Sequence, residues 1–169
     1  EYQIAHGLVG SEMCIRDRSK DNHELNDHIK NLLVNAPPSH EIPFDVLQEI
    51  RRQGGGLLAF QPYSDRAENR QIGIGDHKVM IRIINHDSPD FIYMHIHGGG
   101  HCIGAADMQD QSLEKISNDL NCVVVSVEYR LAPTNPYPAA PDDCETAAVW
   151  LIENSKKEFN AEKIVIGGE

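Results

Sequence analysis

Phe91-Ile92-Tyr93-Met94-His95-Ile96, running into His97-Gly98-Gly99-Gly100, is the stretch on which the fold turns: an apolar run of strand length that ends on three consecutive glycines. Glycine tolerates positive φ and lets another molecule approach the backbone closely, so successive N–H groups can be aimed at one point. Between a buried strand and a helix, such a loop suits an oxyanion hole, where negative charge develops on oxygen during acyl transfer. A second triplet, Gly54-Gly55-Gly56, follows a helical pattern instead and reads only as that helix's end.

Downstream of the loop, Asp107 is expected to cap a helix carrying Leu113, Ile116 and Leu120, and residues 122–128 form an almost wholly apolar run. Buried strand, helix and buried strand in succession mark a parallel sheet covered on both faces, so the fold class is α/β. Upstream, residues 69–74 and 78–84 alternate around Gly75-Asp76, a hairpin signal for an antiparallel start to the sheet. After a proline-rich loop, Pro141 and the pair Asp142-Asp143 fit a helix's first turn, with Cys144, Ala147, Ala148 and Leu151 on its inner face. Residues 163–166 read as a last short buried strand, and Gly168-Glu169 as the first two positions of a G-x-S-x-G elbow whose serine would come next. The expectation is a truncated sheet that holds an oxyanion loop without its nucleophile, inactive by itself.

Before the hairpin, Leu25, Ile29, Leu32 and Leu33 recur at helical spacing until Pro37-Pro38, and Phe44, Leu47 and Ile50 share a face of a second short helix. Residues 1–18 show no such period, and 13–18 resemble a translated sequencing adapter, so 1–18 is set apart as a non-native segment. Residues 19–60 then form a helical region and 61–169 the sheet domain.

The 169 residues carry a net charge of −11, and that acidity argues against nucleic-acid and anionic-membrane partners. No apolar run approaches a membrane span and no secretory leader is evident, which makes a cytoplasmic location the default expectation. The four cysteines, Cys14, Cys102, Cys122 and Cys144, show neither C-x-x-C spacing nor a disulfide framework, and read as reduced thiols.

Four motifs, taken in order, resemble the hormone-sensitive-lipase family of α/β-hydrolases, also called bacterial family IV esterases. They are His97-Gly98-Gly99-Gly100; Val125-Ser126-Val127-Glu128-Tyr129-Arg130-Leu131-Ala132-Pro133; Tyr137-Pro138-Ala139-Ala140-Pro141-Asp142-Asp143; and Ile166-Gly167-Gly168-Glu169. The resemblance covers residues 69–169 well and the preceding segment loosely. It implies the N-terminal part of a mostly parallel hydrolase sheet, with residues 19–60 as a helical cap over the site. It also implies a serine carboxylesterase, in its intact form, acting on small or short-acyl esters without a cofactor. The N–H groups of Gly99 and Gly100 would then serve the oxyanion, while Gly98 and His97 would shape the loop. His97 would not be the general base, because in these folds that histidine follows the nucleophile. Two positions depart from the family pattern. His101 stands where an aromatic residue is usual, bearing on the acyl pocket wall, and Thr134 stands where glutamate is usual, bearing on loop packing.

Competing readings remain beside these. The fold also serves as a non-catalytic small-molecule receptor where a relative has lost its histidine. The helices of residues 19–60 read equally as an ordinary packing pair. His95, His97 and His101 invite a metal, although no carboxylate lies among them in sequence, and the expectation is no metal site. Asp142 and Asp143 are read as serving a helix N-terminus, and Arg130 as bridging loops through its guanidinium fork.

Overall fold

Gly75 and Asp76 turn the chain between β1 (Ala67–Ile74) and β2 (His77–Ile84), with Gly75 at φ +58° and the register running from Ala67 opposite Ile84 to Ile74 opposite His77. The expected hairpin is present, two residues longer at its start. The structure is a computed structural model and describes residues 20–35, 41–53 and 62–169. Residues 1–18, read as non-native, and the glycines at 54–56, read as a helix stop, lie outside the described residues.

Two compact units divide the chain, Glu1–Ile42 and Pro43–Glu169. The first contains helix α1 (Lys20–Asn35), where helical spacing predicts one. The division falls inside the expected cap region, because α2 (Phe44–Arg52) belongs to the second unit. Phe44 and Ile50, expected on one face of α2 with Leu47, are both exposed, and Gln48 hydrogen-bonds the backbone of Gly104.

The second unit continues with β3 (Phe91–Ile96), α3 (Asp110–Leu120), β4 (Cys122–Glu128), α4 (Ala139–Phe159) and β5 (Ile164–Gly168). Its strands form one sheet in the order β1-β2-β4-β3-β5. β4 pairs in parallel with β3, β3 in parallel with β5, and the β1–β2 and β2–β4 pairings are antiparallel, so β2 alone runs against the rest. The sheet is thus mixed in its pairings, with the antiparallel ones confined to the hairpin side.

Both faces are covered where the strands are most apolar. Val123, Val125 and Val127 of β4 pack with Ile92 and Met94 of β3 and with Ala140, Ala147, Leu151 and Phe159 of α4. The alternate residues Cys122 and Val124 pack with Ile84 and with Leu113 and Ile116 of α3. This two-fold alternation explains why β4 reads as almost wholly apolar: from Cys122 to Val127 neither face meets water.

Two expectations need correction. Asp107 does not cap α3; Gln109 occupies that position and makes no side-chain capping bond. Asp110 in the first turn is 1% exposed, and it is drawn inward by the Ser64 N–H at 2.8 Å and by Arg82, whose Nε lies 2.7 Å away and whose Nη2 also bonds the carboxylate. The helix carries Leu113, Ile116 and Leu120 as expected, with Leu120 exposed at its end. β5 is also not buried, since Val165 and Ile166 are half-exposed or more. Its strand has a single neighbour, β3, among the described residues, so an apolar run that reads as interior lies at an edge.

Candidate active site

Strand order places the glycine loop. From β3 the chain crosses through α3 to β4 on one side, and from β4 it crosses through α4 to β5 on the other side of β3. Connections that diverge on either side of a strand open a crevice beyond its carboxyl end, the topological switch point where open α/β sheets hold ligands. Residues 97–100 leave β3 at that end.

Gly99 at φ +121°, Gly100 at +62° and Gly104 at +101° give the loop its path, and His101 adopts +61° among them. Cys102 and Ile103 both donate their N–H to the Gly99 carbonyl at 3.2 Å, closing a tight turn. A Cβ at Gly99 would collide with the Ile103 carbonyl oxygen, and one at Gly104 would strike the Gly98 carbonyl and come within 2.6 Å of His97 Nδ1, whereas Gly100 has open space around it. Gly99 and Gly100 are exposed, and neither N–H has an acceptor among the described residues. From outside, the Gln48 amide clamps the loop, donating to the Gly104 carbonyl at 2.7 Å and accepting its N–H at 2.9 Å.

His97 is 4% exposed and lies flat against Tyr129, ring centroids 4.1 Å apart and planes 9° from parallel. Its Nδ1 lies 2.8 Å from the Gly98 carbonyl, which can only accept, so Nδ1 carries the proton. Burial holds this imidazole below the usual histidine range despite the pull of that carbonyl, leaving Nε2 as a buried lone pair without a partner among the described residues. Tyr129 adds a second tie, donating its hydroxyl to the His97 carbonyl at 2.7 Å, and its own pKa is pushed up to about 12 by burial. Sequence reading quoted Tyr129 only as part of its motif and gave it no role, because the fold alone brings it against His97.

Arg130 bridges as expected, but its partner is Asp143, which was assigned to a helix N-terminus. Asp143 is 2% exposed and accepts the Arg130 backbone N–H at 2.8 Å, Arg130 Nε and Nη2 on both oxygens, and His77 Nε2 at 2.8 Å. Burial pushes its carboxyl up, yet these hydrogen bonds outweigh that and hold it below the ordinary range. Asp142 remains exposed in the first turn of α4. His101 is exposed, and Thr134 is exposed in the loop before α4.

A polar group unforeseen from sequence lies beneath the loop. His95, 2% exposed, has Nδ1 2.9 Å from Ser126 Oγ and Nε2 3.2 Å from Glu169 Oε1, and the other Glu169 oxygen accepts the Gly98 N–H at 2.9 Å. Burial raises the Glu169 carboxyl, but hydrogen bonds from Gly98, His95 and Gln109 bring it below its usual value. His95 and Ser126 are register partners on adjacent parallel strands, a pairing that spacing in the chain does not reveal. Among the described residues no group of three or more His, Cys, Asp or Glu side chains is placed to share a metal ion.

Comparison with known proteins agrees with this architecture. A family profile described as the alpha/beta hydrolase fold matches residues 93–169. An arylesterase of Saccharolobus solfataricus is 34% identical over 138 residues, 78% of this chain and 45% of that protein. The carboxylic ester hydrolase LipN of Mycobacterium tuberculosis is 39% identical over 75 residues, 43% of this chain and 20% of that protein. A solved arylesterase structure superposes with a TM-score of 0.67 at 26% identity, covering 86% of this chain and 49% of its own. The chain therefore has part of the α/β-hydrolase fold, and the relatives it resembles are named as esterases and lipases. The chain spans less than half the length of these relatives. No helix among the described residues is long and apolar enough to cross a membrane.

Proposed function

We propose that the complete reading frame encodes a serine carboxylic ester hydrolase for small or short-acyl esters, with the Gly99 and Gly100 N–H groups as oxyanion donors. The observation that carries this reading is the pair of N–H groups on two exposed glycines, without an acceptor among the described residues, in a hydrogen-bonded loop at the switch point. Such donors stabilise charge most when their direction is set before the reaction, so nothing reorganises as the tetrahedral oxyanion forms. Gly98, tied to Glu169, and His97, stacked on Tyr129 and bonded to the Gly98 carbonyl, give the loop its shape. His97 is no general base here: its one free nitrogen is buried.

In the proposed reaction, a serine in the elbow position after Glu169 attacks the ester carbonyl, and a histidine oriented by a carboxylate carries the proton to the leaving alkoxide. Residues 19–60 are read as a cap that shapes access, and the hold of Gln48 on Gly104 supports this for α2. The test is turnover of p-nitrophenyl acetate and butyrate by the purified product of the complete reading frame, with inactivation by a serine-directed phosphonate. An absence of turnover across short-acyl esters, with the protein folded, would refute the assignment.

A further inference from the structure

His95 lies between Ser126 of β4 and Gly167 of β5 in the sheet register, on the face where Tyr93 packs toward α3. Both nitrogens of this buried imidazole have a partner, and the two partners fix its hydrogens. The Glu169 carboxylate can only accept, so Nε2 carries the proton and donates; in the neutral ring Nδ1 then accepts from the Ser126 hydroxyl. Serine, histidine and carboxylate in that order have the connectivity of a hydrolytic triad. They are not one, because Ser126 is 1% exposed and its hydroxyl is closed off from any substrate. Donation runs from β4 through β3 to Glu169, whose second oxygen accepts the Gly98 N–H.

We propose that His95 is a positioning residue: held by Ser126, its imidazole fixes the Glu169 carboxylate against the Gly98 N–H and so sets the direction in which Gly99 and Gly100 present theirs. The inference rests on the ester hydrolase reading for its catalytic meaning, whereas the hydrogen-bond chain itself does not. A carboxylate on a terminal two-carbon stem has several rotamers, and only one accepts Gly98 while the other oxygen faces β3. The fixed Nε2–H selects that rotamer. Gly98 is the hinge between strand and loop, so its N–H is the point at which a small displacement swings both donors beyond it.

Two nearly isosteric substitutions separate the two ends of the imidazole. In His95→Gln the amide nitrogen reaches the place of Nε2 and keeps a donor for Glu169; in His95→Asn the shorter amide reaches only Ser126. Amide hydrogen exchange of the 169-residue chain, followed by NMR, should show Gly98 exchanging about tenfold faster in His95→Asn, the order expected for losing one hydrogen bond to a charged group. Ile92 and Met94 within β3 should keep their protection, and His95→Gln should restore most of that of Gly98. Equal exchange of Gly98 in wild type and His95→Asn, or a loss shared by all β3 amides that Gln does not rescue, would overturn the proposal. Should Asn prevent folding, Ser126→Ala takes its place, with accelerated exchange at Gly98 expected and unchanged exchange overturning the idea.

In the product of the complete reading frame, His95→Asn should lower kcat for p-nitrophenyl acetate about tenfold with KM little changed, since oriented donors act mainly in the transition state. A wild-type product without turnover, combined with His95-dependent exchange at Gly98, would discard the ester hydrolase reading and leave the relay standing. Normal turnover combined with His95-independent exchange would do the reverse.

Discussion

A methyl group added at Gly99 and one added at Gly100 meet different surroundings. At Gly99 it collides with the backbone carbonyl of Ile103, which is itself fixed by the turn; at Gly100 it meets nothing, and the cost is only that of placing an L-residue at φ +62°. Gly100→Ala should therefore destabilise the protein by about 1–2 kcal/mol and leave kcat within an order of magnitude, because the N–H stays in place. Gly99→Ala should lower the melting temperature further and reduce kcat of the complete enzyme by at least about 10², the loss associated with one misplaced donor. Thermal melts and p-nitrophenyl ester kinetics on the pair check this, and equal effects would show that the loop yields at Ile103. The glycine triplet was legible in sequence because three glycines after an apolar run are a local signal. His95 and Ser126, 31 residues apart, were not, because only the register of two parallel strands makes them neighbours.

At the scale of elements, two buried carboxylates tie helices to strands. Asp110 anchors the start of α3 to Arg82 of β2, and Asp143 anchors α4 to Arg130 and His77. Arg82→Met should cost about 3–5 kcal/mol in chemical denaturation, since it strands a charge that is 1% exposed. Asp143→Asn should cost about 2–3 kcal/mol near neutral pH, because part of its partner set is solvated. Asp143 has a folded-state pKa below its ordinary value, so the stability it supplies is present above the unfolded pKa and is lost as pH falls through the folded one. Melting temperatures of wild type and Asp143→Asn should consequently converge on acidification, and a gap that stayed constant down to about pH 3 would sink this account. Sequence placed these helices correctly but misread their first turns: Asp107 and Asp143 were assigned to helix N-termini, whereas Asp110 and Asp143 turn inward because arginines wait there. Acidic residues near a helix start look alike in sequence whether water or a guanidinium faces them. The apolar run of β5 was misread for a related reason: composition reports what a strand prefers to touch, and burial depends on whether a neighbour is present.

For the whole molecule, every buried apolar residue among the described residues falls between Ile72 and Ala161, within the unit Pro43–Glu169. Removal of residues 1–42 should leave the melting temperature within about 3 °C of the intact chain, and a larger drop in calorimetry would show that the first unit contributes to that core. The sheet has a further consequence in time. Gly98 is held by Glu169, 71 residues later in the chain, and β3 gains its second neighbour only when β5 arrives. At synthesis rates of ~5–20 residues per second, roughly 4–14 s separate the emergence of the glycine loop from that of the residue that steadies it. The hairpin, β3, α3 and β4 can assemble while the loop is still without its support, so the glycine loop takes its final form on the ribosome later than the strand that carries it.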